Sequence, residues 1–264
     1  MTAPKVSIVT VNRNMATEIG ATLESVLMQD YPYFELIVVD GASSDGSQDV
    51  IASYAPRLRY WVSEPDRCLY DAMNKGVAAA KGDWVLFMNA GDRFAAPDVL
   101  SRMAAGNLDH ADLVYGHHVR RYPVQGIERL VRAEPPQVLP RRMPCSHQSL
   151  LMRRELLVTH PFKIGLLAAD YEVILSAYAA GRRFAQVDCV IAATEMGGRS
   201  DSRRLRSLSE RMSILCALGL MTPGLALYYR GLMLRAVVAG ALKAVLPRSF
   251  TARILRHRPV KGMG

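Results

Sequence analysis

Hydrophobic and polar positions alternate along the first third of the chain in a regular succession of short apolar runs and amphipathic stretches. Val6-Ser7-Ile8-Val9-Thr10-Val11 is β-branched, is bounded by Asn12-Arg13-Asn14 and predicts a strand. From Thr17 to Met28 the apolar residues Ile19, Leu23, Val26 and Leu27 recur at helical spacing. Leu36-Ile37-Val38-Val39 predicts a second strand, followed by a Gly- and Ser-rich turn from Gly41 to Ser47 and a helix near Gln48–Tyr54. A third strand over Leu58–Val62, a helix over Tyr70–Ala80 and a strand over Trp84–Met88 follow. After residue 100 the pattern loosens: strands over Asp112–Val119 and Gln148–Met152, a Pro- and Arg-rich loop from Tyr122 to Arg142, a helix over Ala169–Ala180 and a strand over Phe184–Ala193.

Strands alternating with helices predict an α/β fold with a mostly parallel sheet flanked by helices. Strands that are apolar without interruption fit a sheet covered on both faces. Ligands of such sheets bind beyond the carboxyl ends of the strands. Polar residues stand at those ends here: Asn12, Asp40, and Asn89 with Asp92. Each is also an ordinary turn residue. Their convergence on one edge predicts a binding cleft.

Charge changes the picture of the whole chain. The formal net charge is +9, but residues 1–198 carry 20 basic and 22 acidic side chains, whereas residues 199–264 carry 13 basic against Asp201 and Glu210. A near-neutral domain over residues 1–200 therefore precedes a basic segment over 201–264. Cys68, Cys145, Cys189 and Cys216 lack metal-site spacing, which points to reduced thiols and a cytosolic compartment. The N-terminus lacks the features of a secretory signal.

The loop Asp40–Ser47 has no Gly-Lys-Ser/Thr ending, and no G-x-G-x-x-G opens the first helix, which weakens ATPase and dinucleotide readings. Asp40 is placed to accept hydrogen bonds from a ribose hydroxyl or a base N–H. Asp45 reads as a turn or helix-capping residue. Asp92 could hold a divalent cation that also binds diphosphate, or could be a turn residue. Lys75 could offset phosphate charge, and Asp71 and Asn74 lie beside it.

Four segments together resemble an inverting family 2 glycosyltransferase: Ile37–Ser47, Glu64-Pro65-Asp66, Tyr70-Asp71-Ala72-Met73-Asn74-Lys75-Gly76 and Phe87-Met88-Asn89-Ala90-Gly91-Asp92. The resemblance covers roughly residues 4–200. With His147-Gln148 and Ala169-Asp170-Tyr171 it is closest to the bacterial exopolysaccharide subgroup of the colanic-acid type. It implies a GT-A, Rossmann-like fold, a nucleotide-diphospho-sugar donor and a divalent cation, Mg²⁺ or Mn²⁺. Asn12, Asp40, Asp71, Asn74, Lys75 and Asn89 would then line the donor site. Asp92 would bind the metal, and Asp170 would be the catalytic base. His147 and Gln148 are candidates for acceptor or phosphate contacts, and for His147 a packed or solvent-facing histidine is the alternative. The sequence departs from the family at Asn89, where the usual motif has an acid, at Cys68, where the subgroup often has Gly, and at Ala169, where the subgroup has Glu. The absence of Gln-x-x-Arg-Trp argues against a processive polymerase.

In the basic segment, Arg199, Arg203, Arg204, Arg206 and Arg211 are interleaved with Leu205, Leu208, Met212 and Leu215, an amphipathic pattern. Met212–Tyr229 carries no charge, but Pro223-Gly224 interrupts it. A helical pair lying in a membrane interface is expected, with an anionic leaflet and a lipid-linked glycan as partners, on the inner face of the cell membrane. Packing of this segment on the protein is the alternative. Few aromatics interleave the charges, so no nucleic acid is expected. A nucleotidyltransferase of related fold and a non-catalytic nucleotide-sugar-binding protein are the rival functions.

Overall fold

A parallel core sheet grows outward from β1 (Val6–Asn12), which pairs in register with β2 (Phe34–Asp40) on one side and β4 (Trp84–Phe87) on the other. The computed structural model describes residues 5–105, 108–122, 126–195 and 204–245. The chain divides into two compact units, Met1–Gly198 and Arg199–Gly264.

In the first unit, β3 (Tyr60–Ser63), β5 (Arg93–Phe94), β6 (Leu113–Tyr122), β7 (Ile127–Val131), β8 (Leu150–Arg153) and β9 (Phe184–Glu195) complete a nine-stranded sheet. Its order is β3-β2-β1-β4-β8-β6-β9-β5, with β7 paired to β6. β1 to β4, β6 and β9 share one direction, while β5, β7 and β8 run against them.

Both faces of the central strands are buried. Ile8, Leu36, Val38, Trp84 and Leu86 join one core with α1 (Ala16–Leu27), α2 (Ser47–Ser53) and α4 (Val99–Ala104). α1 presents Ile19, Thr22, Leu23 and Val26 to it, a helical stripe. On the opposite face α3 (Leu69–Ala79) lies so close to β1 that a Cβ on Gly76 would stand 2.3 Å from Val9 Cγ1. α5 (Arg154–Thr159) and α6 (Ala169–Ala179) follow β8.

The segment expected to be a loop from Tyr122 to Arg142 contains β7, a hairpin partner of β6. Ile127, Glu128, Arg129 and Leu130 are all exposed, so the strand lacks the one-sided alternation that marks a half-buried strand. β5, α4 and α5 are too short to carry a periodic signal.

The second unit contains α7 (Arg204–Ala217) and α8 (Pro223–Val245). The features that interrupt the uncharged run are a helix boundary. Gly219 adopts φ +68 just past α7, and Leu220 N–H reaches back to Leu215 O at 2.9 Å. Thr222 Oγ1 accepts the Leu225 N–H at 3.2 Å, and Pro223 takes the first helical position. Leu208 and Leu215 are buried, whereas Leu205 is exposed. No described helix is long and apolar enough to cross a membrane. Gly197-Gly198, Arg199, Arg203, Arg248, Arg253, Arg256, Arg258 and Lys261 lie outside the described residues.

Gly76→Ala should force α3 off β1. Overpacking of this kind costs about 1–3 kcal/mol, and a thermal melt should show a Tm lower by roughly 2–4 °C per kcal/mol. An unchanged Tm would refute the close approach of α3 to Val9.

Candidate active site

The first half of the site is built where β1 and β2 end. Asn12 and Asp40 are register partners and are both buried. Asp40 Oδ1 accepts from Asn12 Nδ2 at 2.6 Å and Ser43 Oγ at 2.5 Å. Its Oδ2 accepts from Ser43 N–H at 2.9 Å and Ser63 Oγ at 2.6 Å. Burial alone would raise the Asp40 pKa, but these donors outweigh it and hold the carboxyl below its ordinary range. Asp40 therefore lies beneath the strand ends, with both oxygens engaged in fixing the turn that follows β2. Asn12 Oδ1 is buried and has no hydrogen-bond partner among the described residues.

The two strand-end turns are knit together. Asn14 N–H donates to Ser43 Oγ at 2.8 Å, and Ser44 N–H donates to Asn14 Oδ1 at 2.9 Å. Asn14 and Ala42 both have positive φ, +53 and +54. Such conformations cost on the order of 1 kcal/mol or more each and collect at functional sites. Asp45 bridges helix starts instead of facing a ligand, with Oδ2 on Ala16 N–H at 2.9 Å and Oδ1 on Ser47 N–H at 3.0 Å.

The second half is built where β4 ends. Asp92 N–H closes a turn on Asn89 O at 2.9 Å, and Gly91, at φ +94, donates its N–H to Thr22 Oγ1 at 3.0 Å. β8 runs antiparallel to β4, with Trp84 opposite Arg153 and Leu86 opposite Leu151. The residues just before β8 consequently arrive at the carboxyl end of β4. Gln148 Nε2 donates to Asp92 Oδ2 at 2.7 Å, and Asn89 Nδ2 lies 3.2 Å from His147 Nε2. His147 Nδ1 lies 3.6 Å from Asp170 Oδ2. A continuous polar array thus joins Asp92, Gln148, His147, Asn89 and Asp170.

Asp170 sits in the first turn of α6, where its Oδ1 accepts the Tyr171 N–H at 2.8 Å. Tyr70 Oη lies 3.0 Å from the same oxygen and 3.1 Å from Leu167 O. Desolvation pushes the Asp170 pKa up, but His147, the Tyr171 N–H and the Tyr70 hydroxyl prevail and hold it below the usual value. The side chain keeps 23% of its surface exposed.

Asp92 has the opposite balance. Burial raises its pKa to about 6, and the Gln148 hydrogen bond offsets this only in part. Asn89 Oδ1 is buried without a hydrogen-bond partner among the described residues. One acidic and one amide oxygen fit a hard cation that takes its other ligands from phosphate and water. No group of three or more His, Cys, Asp or Glu that could cage a metal occurs among the described residues.

Other expected donor residues have protein partners. Asp71 Oδ1 pairs with Arg67 at 2.7 Å. Lys75 Nζ lies 2.6 Å from Asp66 and 2.8 Å from Glu64. Asn74 holds the backbone of Phe162 through both ends of its carboxamide. Tyr70, Ser43 and Ser63 were not singled out from the sequence. Tyr70 stands next to Asp71 in a recognised segment, and Ser43 lies in the Ser-rich turn, but nothing local marks Ser63. A separate open groove of about 470 Å³ is lined by Arg59, Tyr60, Val62, Glu64, Lys75 and Lys81, and contains none of the strand-end residues.

A family model, Glycosyl transferase family 2, matches residues 6–174. A Mycobacterium tuberculosis (strain H37Ra) protein described as a PGL/p-HBAD biosynthesis glycosyltransferase is 40% identical over 126 residues, 46% of this chain and 49% of that protein. The chain thus matches about half the length of this relative. The structure of S. aureus TarS in complex with UDP superposes with a TM-score of 0.65 at 21% identity, over 83% of this chain and 66% of that one. The mannosyltransferase PcManGT from Pyrobaculum calidifontis, in complex with GDP-Man and Mn²⁺, gives a TM-score of 0.65 at 20% identity, over 97% and 80%. These structural likenesses establish the fold.

Asp40→Ala should leave buried hydroxyl and amide donors without an acceptor and destabilise the protein by about 2–4 kcal/mol in urea denaturation. Asp40→Asn supplies the pH check. Because the folded pKa of Asp40 is lowered, the wild-type advantage should be full above the ordinary carboxylate pKa of about 3.9 and shrink as pH falls below it. An advantage that grows on acidification would contradict the arrangement.

Proposed function

The chain belongs to glycosyl transferase family 2, and from that premise we propose that it transfers a sugar from a nucleotide-diphospho-sugar to an acceptor hydroxyl with inversion. The observation that carries this reading is the juxtaposition of Asp170 with Asn89, Asp92 and His147 at one sheet edge. UDP in the TarS complex and GDP-Man with Mn²⁺ in the mannosyltransferase complex support a nucleoside diphosphate donor.

In this mechanism Asn12 and the turn fixed by Asp40 form the nucleoside side of the pocket. Asn89 and Asp92 would hold Mg²⁺ or Mn²⁺, which would supply positive charge to offset that of the departing diphosphate. Asp170 removes the proton of the acceptor hydroxyl as its oxygen attacks the anomeric carbon. The bond to the diphosphate oxygen breaks, and its electron pair leaves with the nucleotide. A single displacement from the face opposite the leaving group inverts the configuration. Asp170 suits the role because its neighbours keep it ionised while its surface is partly open.

The second unit supports a site of action at a membrane. Leu227, Leu234 and Val238 are exposed at 72%, 66% and 49% and fall on one face of α8. The exposed Arg230 and Arg235 border that strip. We propose that α8 lies along an anionic cytoplasmic leaflet as a peripheral anchor, and that the acceptor is a lipid-linked glycan in cell-surface polysaccharide synthesis, of the exopolysaccharide type. The acceptor class rests on the family resemblance and on this surface together.

Transfer assays with UDP-, GDP- and dTDP-sugars and Mn²⁺ should identify a working donor. Asp170→Asn and Asp92→Ala should each lower transfer by a factor of about 100 or more. No turnover with any donor would favour the non-catalytic alternative, and full activity in Asp170→Asn would remove it as the base.

The full-length protein should sediment with phosphatidylserine vesicles and lose affinity in high salt. Each basic residue near such a surface contributes about 1 kcal/mol, so Arg230→Ser with Arg235→Ser should weaken binding roughly tenfold or more. Equal binding by the variant and the wild type would contradict the α8 surface.

A further inference from the structure

We propose that Asn74 is a positioning residue for Asp170, acting through Phe162 and Tyr70, and not a donor contact. The inference rests on the reading of Asp170 as the base.

The stretch between α5 and α6, residues 160–168, has no helix or strand, yet it determines where Asp170 begins α6. Asn74 grips this stretch at two points of one residue. Its Nδ2 donates to Phe162 O at 2.8 Å, and Phe162 N–H donates to Asn74 Oδ1 at 3.0 Å. The clamp spans 88 positions of sequence, so it is a tertiary tie and not a local turn. The Phe162 ring, 3% exposed, stacks on Tyr70 with centroids 5.4 Å apart and meets Phe87 edge-on at 5.5 Å. Phe87 is the last residue of β4. One ring therefore keys the stretch to the strand that delivers Asn89 and Asp92.

Tyr70 and Asn74 are four apart on α3 and share a face. Asn74 fixes the start of the stretch. Tyr70 fixes its end, through the hydroxyl between Asp170 Oδ1 and Leu167 O. At the far side Glu172 Oε1 takes His160 at 3.0 Å and Lys163 at 2.8 Å, which ties the stretch back onto α6 itself. That second tie joins the stretch to its own helix. Registration against the sheet comes through α3 and the Phe162 ring. With the clamp made, the Asn74 carboxamide retains one N–H and one lone pair, and its orientation is set by Phe162.

Displacing a catalytic group by about 1 Å can cost on the order of 100-fold in rate. Asn74→Ala should therefore lower kcat by about 10- to 100-fold, while the donor KM and the calorimetric Kd for UDP stay within about threefold of wild type. Tyr70→Phe keeps the ring and removes only the hydroxyl, so it tests the link without disturbing the stack. It should lower kcat while the donor KM and the calorimetric Kd for UDP stay within about threefold of wild type, because Asp170 loses a partner that sets its position. A merely structural contact would change Tm and leave kcat in place. Should Asn74→Ala fail to fold, Tyr70→Phe still decides the matter through the same split between kcat and KM.

A tenfold rise in donor KM or UDP Kd with normal kcat in Asn74→Ala would make it a donor contact and overturn the inference. An unchanged kcat in Tyr70→Phe would overturn it as well. Full activity in Asp170→Asn overturns both this inference and the reading beneath it. Normal kcat in Asn74→Ala, with Asp170→Asn inactive, overturns this inference alone.

Discussion

The site depends on where β8 runs. This short strand lies between β4 and β6, antiparallel to both, and joins the parallel half of the sheet to the rest. Arg153 holds its end. The guanidinium lies 4.8 Å from the centre of the Trp84 ring and donates to Ala111 O at 3.0 Å and Leu108 O at 2.8 Å. Because side chains alternate along a strand, a slip of one residue would turn Leu151 and Met152 to the wrong faces. The same slip would carry His147 and Gln148 away from Asn89 and Asp92. A packing constraint in the core thereby sets the polar geometry at the edge.

The three carboxylates at that edge show how environment assigns roles to one residue type. Asp40 is buried among four hydrogen-bond donors and stays ionised, a fixed brace under the turn. Asp92 is buried with less compensation, and its pKa rises to about 6. In the proposed mechanism it is the carboxylate that would gain most from a cation. Asp170 lies at a helix start with a tyrosine hydroxyl and a histidine beside it, and remains ionised but partly open. The proposed mechanism uses these differences in burial and donor count, with Asp40 as a brace, Asp92 as a cation ligand and Asp170 as the base.

Much of this was legible in the residues. Val6–Val11, Leu36–Val39 and Trp84–Met88 read as buried strands because both of their faces are covered. Their polar ends then mark the edge proposed as the donor site. The side-chain pairings were not legible. Lys75 pairs with Asp66 and Glu64, which lie upstream of its helix. Asp40 is also engaged by Ser63, on a neighbouring strand. Such partners are set by strand order, which hydrophobic periodicity does not encode. β7 escaped notice because an exposed hairpin arm has no buried face to impose a pattern. Pro223-Gly224 was visible as an interruption, and the capped start of α8 gives that interruption its cause.

The central claim is that the carboxyl edge between Asn12 and Asp92 is the nucleotide site. A crystal structure of the chain grown with UDP and Mn²⁺ tests it most directly. The account predicts the uracil beside Asn12, and the diphosphate with its cation against Asn89 and Asp92. A nucleotide seated in the groove between Arg59 and Lys81, with the strand-end edge empty, would contradict it.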